Sequence, residues 1–172
     1  MKKIPFVLLL LISHFVQAAC VDDIPTTSGP FDIDFAEGQL LDQSTDLVWF
    51  RCRLGQTFEN DVCVGDAFAG TWLEALKLAE EFSISEFNNW RLPNLKELQS
   101  LVEYSCQSPM FSPDLFATNM TGLYWSSTPE LVEQGMFNHY VHGLSSNGHT
   151  FSDQKDELFS ALLVRDSLIS KP

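Results

Sequence analysis

The sequence predicts an α+β domain in which two main helices pack on a small, mostly antiparallel sheet and long loops join the elements. Two capping boxes predict where the helices start, one at Thr71 with Glu74 and one at Asn94 with Glu97. Short segments of strand-forming residues, bounded by turn residues, predict the strands. No internal repeat or collagen-like period interrupts this pattern. The length is that of a single domain.

The N-terminal end has the pattern of an export signal. Lys2 and Lys3 precede an apolar run from Ile4 to Val16, and Ala18 provides a small residue for cleavage. The run is shorter than the roughly 20 apolar residues that span a bilayer. We therefore expect an exported protein, located in the periplasm, at the cell surface or in the medium, with no transmembrane segment in the mature chain. The predicted organisation is a signal peptide (1–18), an extended lead-in (19–38), the folded domain (39–166) and a tail (167–172).

The chain has four cysteines, and an even number in an exported protein predicts disulfides. Cys52 and Cys63 flank a loop with turn residues, so we expect them to pair. Cys20 and Cys106 are then left to tie the lead-in to the end of the second helix. Lipidation of Cys20 is the alternative, but Gln17 stands where a lipoprotein signal has an aliphatic residue. No Cys-x-x-Cys spacing occurs, which disfavours zinc.

The charge of the chain limits its partners. The formal net charge is −13, and removing Lys2 and Lys3 leaves 8 basic and 23 acidic residues, or −15. A field of this sign repels phosphate backbones and anionic lipids. We therefore expect neither nucleic acid nor a membrane surface as a partner, and little binding to heparin. Neutral glycans or basic protein surfaces are the expected ligands.

Each helix and strand has its own signal. Leu47, Trp49 and Arg51 alternate, which predicts a strand with one buried face. Asn147 and Gly148 both tolerate positive φ and predict a tight hairpin turn. The predicted strands are 39–42, 47–51, 124–128, 136–141, 149–151 and 159–165. The apolar sides of the two helices are predicted to be Trp72, Ala75, Leu76, Ala79 and Phe82, and then Leu95, Leu98, Leu101 and Val102.

A proline corner separates the extended segment 90–92 from the second helix. Pro93 has a fixed φ and disfavours helical geometry at Leu92, so Trp90, Arg91 and Leu92 are extended and precede the helix. We expect the four tryptophans of the chain to be core residues rather than sugar-stacking platforms. We expect the arginines at 91 and 165 to bind carboxylates or carbonyls inside the structure.

Three blocks in this order resemble a known family. They are Leu47-Val48-Trp49-Phe50-Arg51-Cys52, then Trp90-Arg91-Leu92-Pro93-Asn94 with Glu97-Leu98, then Tyr124-Trp125-Ser126-Ser127-Thr128, with Val164-Arg165 near the end. Over roughly residues 38–165 they resemble the Legionella collagen-like protein C-terminal domain family. The resemblance implies a C-type-lectin-like fold in secreted or surface-attached bacterial proteins, including adhesins, and no single chemistry. The expected structural motif is Trp49, Trp90, Arg91, Leu92, Pro93, Glu97, Tyr124, Trp125 and Arg165.

Metal binding has weak support in the sequence, and no cofactor is predicted. His139 and His142 point to opposite faces of a regular strand, which leaves one of them to act with His149. Calcium remains open because its ligands are carboxylates and carbonyls. The calcium candidates are Asp32, Asp34 and Glu37, and solvated carboxylates are the simpler interpretation.

The residue patterns single out no catalytic group. Ser126, Ser127 and Thr128 have no histidine or acid at a recognisable spacing, and nothing selects one pair from 23 acids. The leading hypothesis is an exported, non-enzymatic binding or adhesion module that recognises a glycan or a protein. A homo-oligomer is compatible with this hypothesis. Its ligand-binding residues are unassigned. The alternatives are a structural component of a periplasmic or surface assembly and a hydrolase with an unmarked acid pair.

Overall fold

The computed structural model of the chain describes residues 30–103, 111, 115–118, 120–130 and 140–167. These residues form a mostly β fold with antiparallel sheets and two helices, so the sheet content is larger than predicted. The helices are α1 (Trp72–Glu81) and α2 (Leu95–Ser100). The strands are β1 (Phe31–Ala36), β2 (Gln39–Asp42), β3 (Leu47–Phe50), β4 (Thr57–Glu59), β5 (Val62–Val64), β6 (Leu123–Pro129), β7 (Tyr140–Ser145), β8 (Thr150–Gln154) and β9 (Val164–Asp166).

Three antiparallel sheets replace the single small sheet that was expected. The first has the order β1-β2-β3-β9, the second pairs β4 with β5, and the third has the order β6-β7-β8. The extended lead-in was predicted to precede the folded domain, but β1 pairs with β2 and has an irregular register between Asp32 and Ala36. The chain segment 31–36 is therefore part of the sheet.

Strand β3 is buried on both faces, which corrects the prediction of one buried face. Trp49 packs into a cluster with Leu98 of α2, whereas Val48 and Phe50 pack into another cluster with Ala75 of α1. The two helices thus cover opposite faces of the strand. Alternation along β3 separates two apolar clusters, because each face of the strand meets a helix.

The proline corner joins the sheets to α2 as predicted. The backbone of Arg91 pairs with that of Val164, with N–O distances of 2.9 and 3.0 Å. Asn94 caps α2 and Glu97 completes the capping box. The Leu95 N–H donates to Oγ1 of Thr128 at 2.9 Å, so the corner also contacts β6. The proline corner, the end of β6 and the start of β9 lie far apart in the sequence and meet at this point.

Two arginines stabilise this junction in different ways. Arg91 donates to both carboxylate oxygens of Glu97, at 2.8 and 2.9 Å, and this pair of hydrogen bonds is the main reason that the pKa of Arg91 is raised. Arg165 is 1% exposed, and it donates to Oε1 of Gln39 at 2.8 Å and to the carbonyl of Asp166. Its guanidinium lies 3.7 Å from the ring centroid of Phe87, and burial lowers its pKa. A carbonyl partner is confirmed for Arg165, but no carboxylate partner occurs among the described residues.

The C-terminal segment was predicted to be one strand over 159–165, but β9 includes only its end. The carbonyls of Ser160 and Leu163 accept from Trp125 and Phe50, which lie in different sheets. The apolar residues before β9 thus form a buried connection between the third sheet and the first. An apolar, strand-forming sequence is typical both of such a buried connection and of a strand. The prediction of a strand over the whole of 159–165 is therefore wrong for the residues before β9.

Two local predictions also need correction. Of Asn147 and Gly148, only Gly148 has positive φ, at 75°, because the loop is longer than a two-residue turn: the Ser145 N–H donates to the carbonyl of His149, and the Gly148 N–H donates to the carbonyl of Ser145. Trp72 is half-buried, with Nζ of Lys155 4.6 Å from its ring centroid, whereas Trp49, Trp90 and Trp125 are core residues as predicted.

Within the described residues, no helix has the length and apolarity needed to cross a bilayer.

We expect Trp90→Ala to lower the free energy of unfolding by about 3 to 5 kcal/mol. Trp90 is 3% exposed and makes edge contacts with Phe50 and Phe82, at centroid distances of 6.2 and 5.7 Å. Denaturant unfolding measures the effect. Leu73→Ala is the control, because Leu73 is 70% exposed and its loss should change the free energy by less than about 0.5 kcal/mol. Equal stability of the Trp90 variant and the parent would show that this core is described wrongly.

Tyr124 should make the stability of the fold fall in alkaline solution. Burial raises its pKa from 10.0 to about 12, so the folded state keeps a proton that the unfolded state loses. The contribution is complete below pH 10 and is lost as the pH rises toward 12, at about 1 kcal/mol between pH 9 and 11. Urea unfolding at both pH values measures it. Tyr124→Phe should show a smaller loss, and identical losses in both proteins would exclude this role.

Candidate functional site

A polar cleft lies between the turn that joins β1 to β2 and the hairpin of β4 and β5. Its volume is about 320 Å³. The chain brings together residues from three separate segments here, since the strand β3 ends beside both turns. The cleft is lined by Ile33, Ala36, Glu37, Gly38, Arg51, Phe58, Asn60 and Asp61.

A disulfide holds the hairpin that forms one wall of the cleft. Cys52 follows β3 and Cys63 lies in β5, and the two are bonded as predicted, with a Cα–Cα distance of 5.6 Å. The N–H of Cys63 also donates to the carbonyl of Ala117 at 3.2 Å. Closing a loop of this length stabilises a fold by about 3 kcal/mol in the chain-entropy picture. The other predicted pair, Cys20 with Cys106, lies outside the described residues.

The turn of this hairpin is made of two residues that both have positive φ. Asn60 has φ 50° and Asp61 has φ 63°, as the central pair of a type I′ turn requires. Glycine adopts this conformation without a steric cost, and Asn and Asp adopt it at a small one. Both residues line the cleft, and neither side chain has a hydrogen-bond partner among the described residues.

Arg51 provides the positive charge of the cleft and is held in place on several sides. Its Nε donates to the carbonyl of Leu115 at 3.0 Å, and its guanidinium lies over the ring of Phe58 at 5.5 Å. Its backbone N–H donates to the carbonyl of Gly38 at 2.9 Å. The two terminal guanidinium nitrogens have no partner within the described part of the chain. Arg51, a lining residue of the cleft, therefore has a terminal donor pair that no described residue binds.

The opposite wall packs closely on the hairpin at Gly38. This residue has φ +68°, and a Cβ there would stand 2.9 Å from Cβ of Phe58. Only glycine fits both the conformation and the space. Phe58 therefore contacts both Gly38 and the guanidinium of Arg51, so this residue joins the two walls of the cleft.

The structure places few of the metal candidates at this cleft. Glu37 lines it and is exposed, Asp32 is half-buried in β1, and the side chain of Asp34 lies outside the described residues. Among the described residues, no group of three His, Cys, Asp or Glu side chains is placed to hold a metal ion. His142 lies in β7 and His149 at the loop before β8, whereas His139 is outside the described part.

Of the residues that line the cleft, Glu37 alone was predicted as a ligand-binding candidate, and it was predicted for calcium. Arg51 ends the predicted strand 47–51, and Asn60 and Asp61 are turn residues of the loop that is predicted between Cys52 and Cys63. The signal that was available is the pair of turn residues in a loop closed by cysteines, which predicts an exposed and rigid hairpin. The approach of Glu37 to this hairpin has no local signal, since it depends on how β1 pairs.

Other concavities lie beside α1 and have a different character. One of about 310 Å³ is mainly apolar and is lined by Leu54, Gly55, Gln56, Thr57, Leu78, Glu81 and Phe82. The polar cleft differs from it because it combines a guanidinium, carboxylates and an amide on rigid supports.

These features define a disulfide-stabilised, mostly β module with a polar cleft built from turns at one end of a sheet. Residues 38–165 match the family model of the Lcl C-terminal domain, and the match covers most of the chain. The chain belongs to the Lcl C-terminal domain family, a family of surface or secreted modules, which confirms the resemblance. No curated protein matches the chain at a level that indicates common ancestry.

Asp61→Gly should raise the free energy of unfolding by about 0.5 to 1 kcal/mol under non-reducing conditions. The change produces Asn-Gly, the preferred pair for a type I′ turn, and removes the cost of positive φ at Asp61. Asp61→Ala is the matched control because it removes the same carboxylate but keeps a Cβ, and it should lower stability. If the Gly variant is no more stable than the Ala variant, the turn is not strained in the way described.

Proposed function

We propose that this protein is an exported, non-enzymatic binding module that recognises a glycan in the polar cleft. The single observation that carries the proposal is the set of donors and acceptors on two turns and on Arg51 that have no partner among the described residues. Family membership and the disulfide support export. We also propose the C-type-lectin-like version of the fold, which is supported by helices that cover both faces of a central antiparallel strand.

The chemistry of the cleft suits hydroxyl groups, since these both donate and accept. Glu37 and Asp61 accept hydrogen bonds, Arg51 donates, and the amide of Asn60 does both. Such groups fix the orientation of a sugar ring, while Ile33 at 39% exposure provides an apolar contact. Because the carboxylates and the amide lie on turns of a sheet and of a disulfide-closed hairpin, the backbone that carries them is ordered before a ligand binds.

A hydrolase is the second candidate, because Glu37 and Asp61 put two carboxylates in one cleft. Glycoside hydrolysis uses such a pair, with a separation that sets the stereochemical outcome. The described lining contains no serine, threonine, histidine or free thiol, so covalent chemistry by these groups has no support there. A structural role in a periplasmic or surface assembly is a third version, which no feature of the cleft favours.

The positive charges do not suit a sulfated polyanion. Arg91 is bound to Glu97, Arg165 is buried, and Lys77 lies 3.9 Å from Glu81. Heparin binding requires several cations on one face, and the net charge of the chain repels such a ligand. The proposed ligand is therefore a glycan of low charge density. We also propose that the glycan binds without calcium.

A glycan screen with the mature protein tests the proposal. We expect binding of glycans of low charge and none of heparin at physiological salt, with unchanged binding when EDTA is added. Asn60→Ala should weaken binding about tenfold or more, since it removes an amide that both donates and accepts. Asn89→Ala is the control, because Asn89 is exposed and does not line the cleft.

Three results would contradict the proposal. Tight, salt-sensitive binding to heparin would show that the fold gathers its cations into a patch. Release of reducing sugar from a bound glycan, abolished by Glu37→Gln or Asp61→Asn, would establish the hydrolase instead. Equal glycan binding by the parent and by Asn60→Ala would place the binding site elsewhere.

A further inference from the structure

We infer that the terminal nitrogens of Arg51 bind the carboxylate of an acidic sugar, so that the cleft selects a carboxylated monosaccharide unit within a glycan. This inference rests on the proposed glycan-binding function and names the class of ligand for the same cleft. A single carboxylate is compatible with the low charge density that the electrostatics of the chain require.

The geometry of Arg51 points to a carboxylate. Nε is occupied by the carbonyl of Leu115, and the face of the guanidinium lies over Phe58. What remains is the pair of terminal nitrogens, a planar fork that matches the two oxygens of a carboxylate. No carboxylate of the described chain takes this fork, although Glu37 and Asp61 line the same cleft.

The two acids of the lining restrict the ligand further. Both are exposed and carry negative charge, so a ligand with several sulfates or phosphates is repelled by the rim. They act as acceptors, and therefore the ligand must also present donors near its carboxylate. Sugar hydroxyls supply such donors in a ring of fixed shape.

A peptide C-terminus fits the cleft less well. Recognition of a C-terminal carboxylate typically uses a nest of backbone N–H groups, and side-chain pockets give such sites their specificity. The described lining instead offers one guanidinium, two carboxylates and an amide, with apolar contact from Ile33, Ala36 and Phe58. Several polar acceptors around one cation match a polyhydroxylated acid.

Calorimetric titration of the mature protein with matched sugars tests the inference. The ligands are the methyl glycosides of galacturonic and glucuronic acid and N-acetylneuraminic acid, each compared with its methyl ester, which has nearly the same shape without the charge. We expect at least one acid to bind about tenfold or more tightly than its ester. Arg51→Gln should abolish that preference, and Lys77→Gln, which removes a charge outside the cleft, should preserve it.

Arg51→Lys keeps the charge but not the fork, and it covers the case in which Arg51→Gln does not fold. The lysine variant should lose most of the preference for the acid while it still binds any neutral glycan found in the screen. The inference is overturned if the ester binds as well as the acid, if the lysine variant keeps the full preference, or if acetate or N-acetylalanine binds as tightly as the acidic sugar. Neutral glycans that bind independently of Arg51 would leave the proposed function standing and remove this inference alone.

Discussion

The structure depends on a central strand that has no solvent-exposed face. Val48 and Trp49 in β3 are both fully buried, and each belongs to a different apolar cluster. A strand of this kind needs a cover on each side, so α1 and α2 must lie on opposite faces, and it needs a partner at each edge, which β2 and β9 provide. The proline corner before α2 follows from the same constraint, since the chain must turn there to reach the second face.

The cleft takes its rigidity from this strand. Arg51 and Cys52 follow directly after β3, so the guanidinium and the disulfide begin where the buried core ends. The backbone of Arg51 contacts Gly38 and Ala117, which fixes the position of the residue before its side chain makes any contact. A binding group on the end of a core strand needs less ordering when a ligand arrives than a group in a free loop.

Local signals allowed the sequence to predict part of this arrangement. The capping boxes, the short disulfide and the burial of Trp90 each depend on residues that are close in sequence or on composition alone, and the structure confirms all three. The second buried face of β3, the division into three sheets and the segment before β9 depend on distant partners. The cleft belongs to the second group, because Glu37 and Asp61 meet only when β1 joins the sheet and the disulfide folds the hairpin back.

The turn at the cleft has polar side chains at a cost in stability. Asn-Asp in a type I′ turn is less stable than Asn-Gly, yet it carries an amide and a carboxylate at the lining of the cleft. A nearby disulfide offsets such a cost, since it stabilises the same hairpin by a larger amount than the turn loses. Within the described part of the chain neither side chain has an internal partner, so both are available for the ligand contact that the proposed function requires.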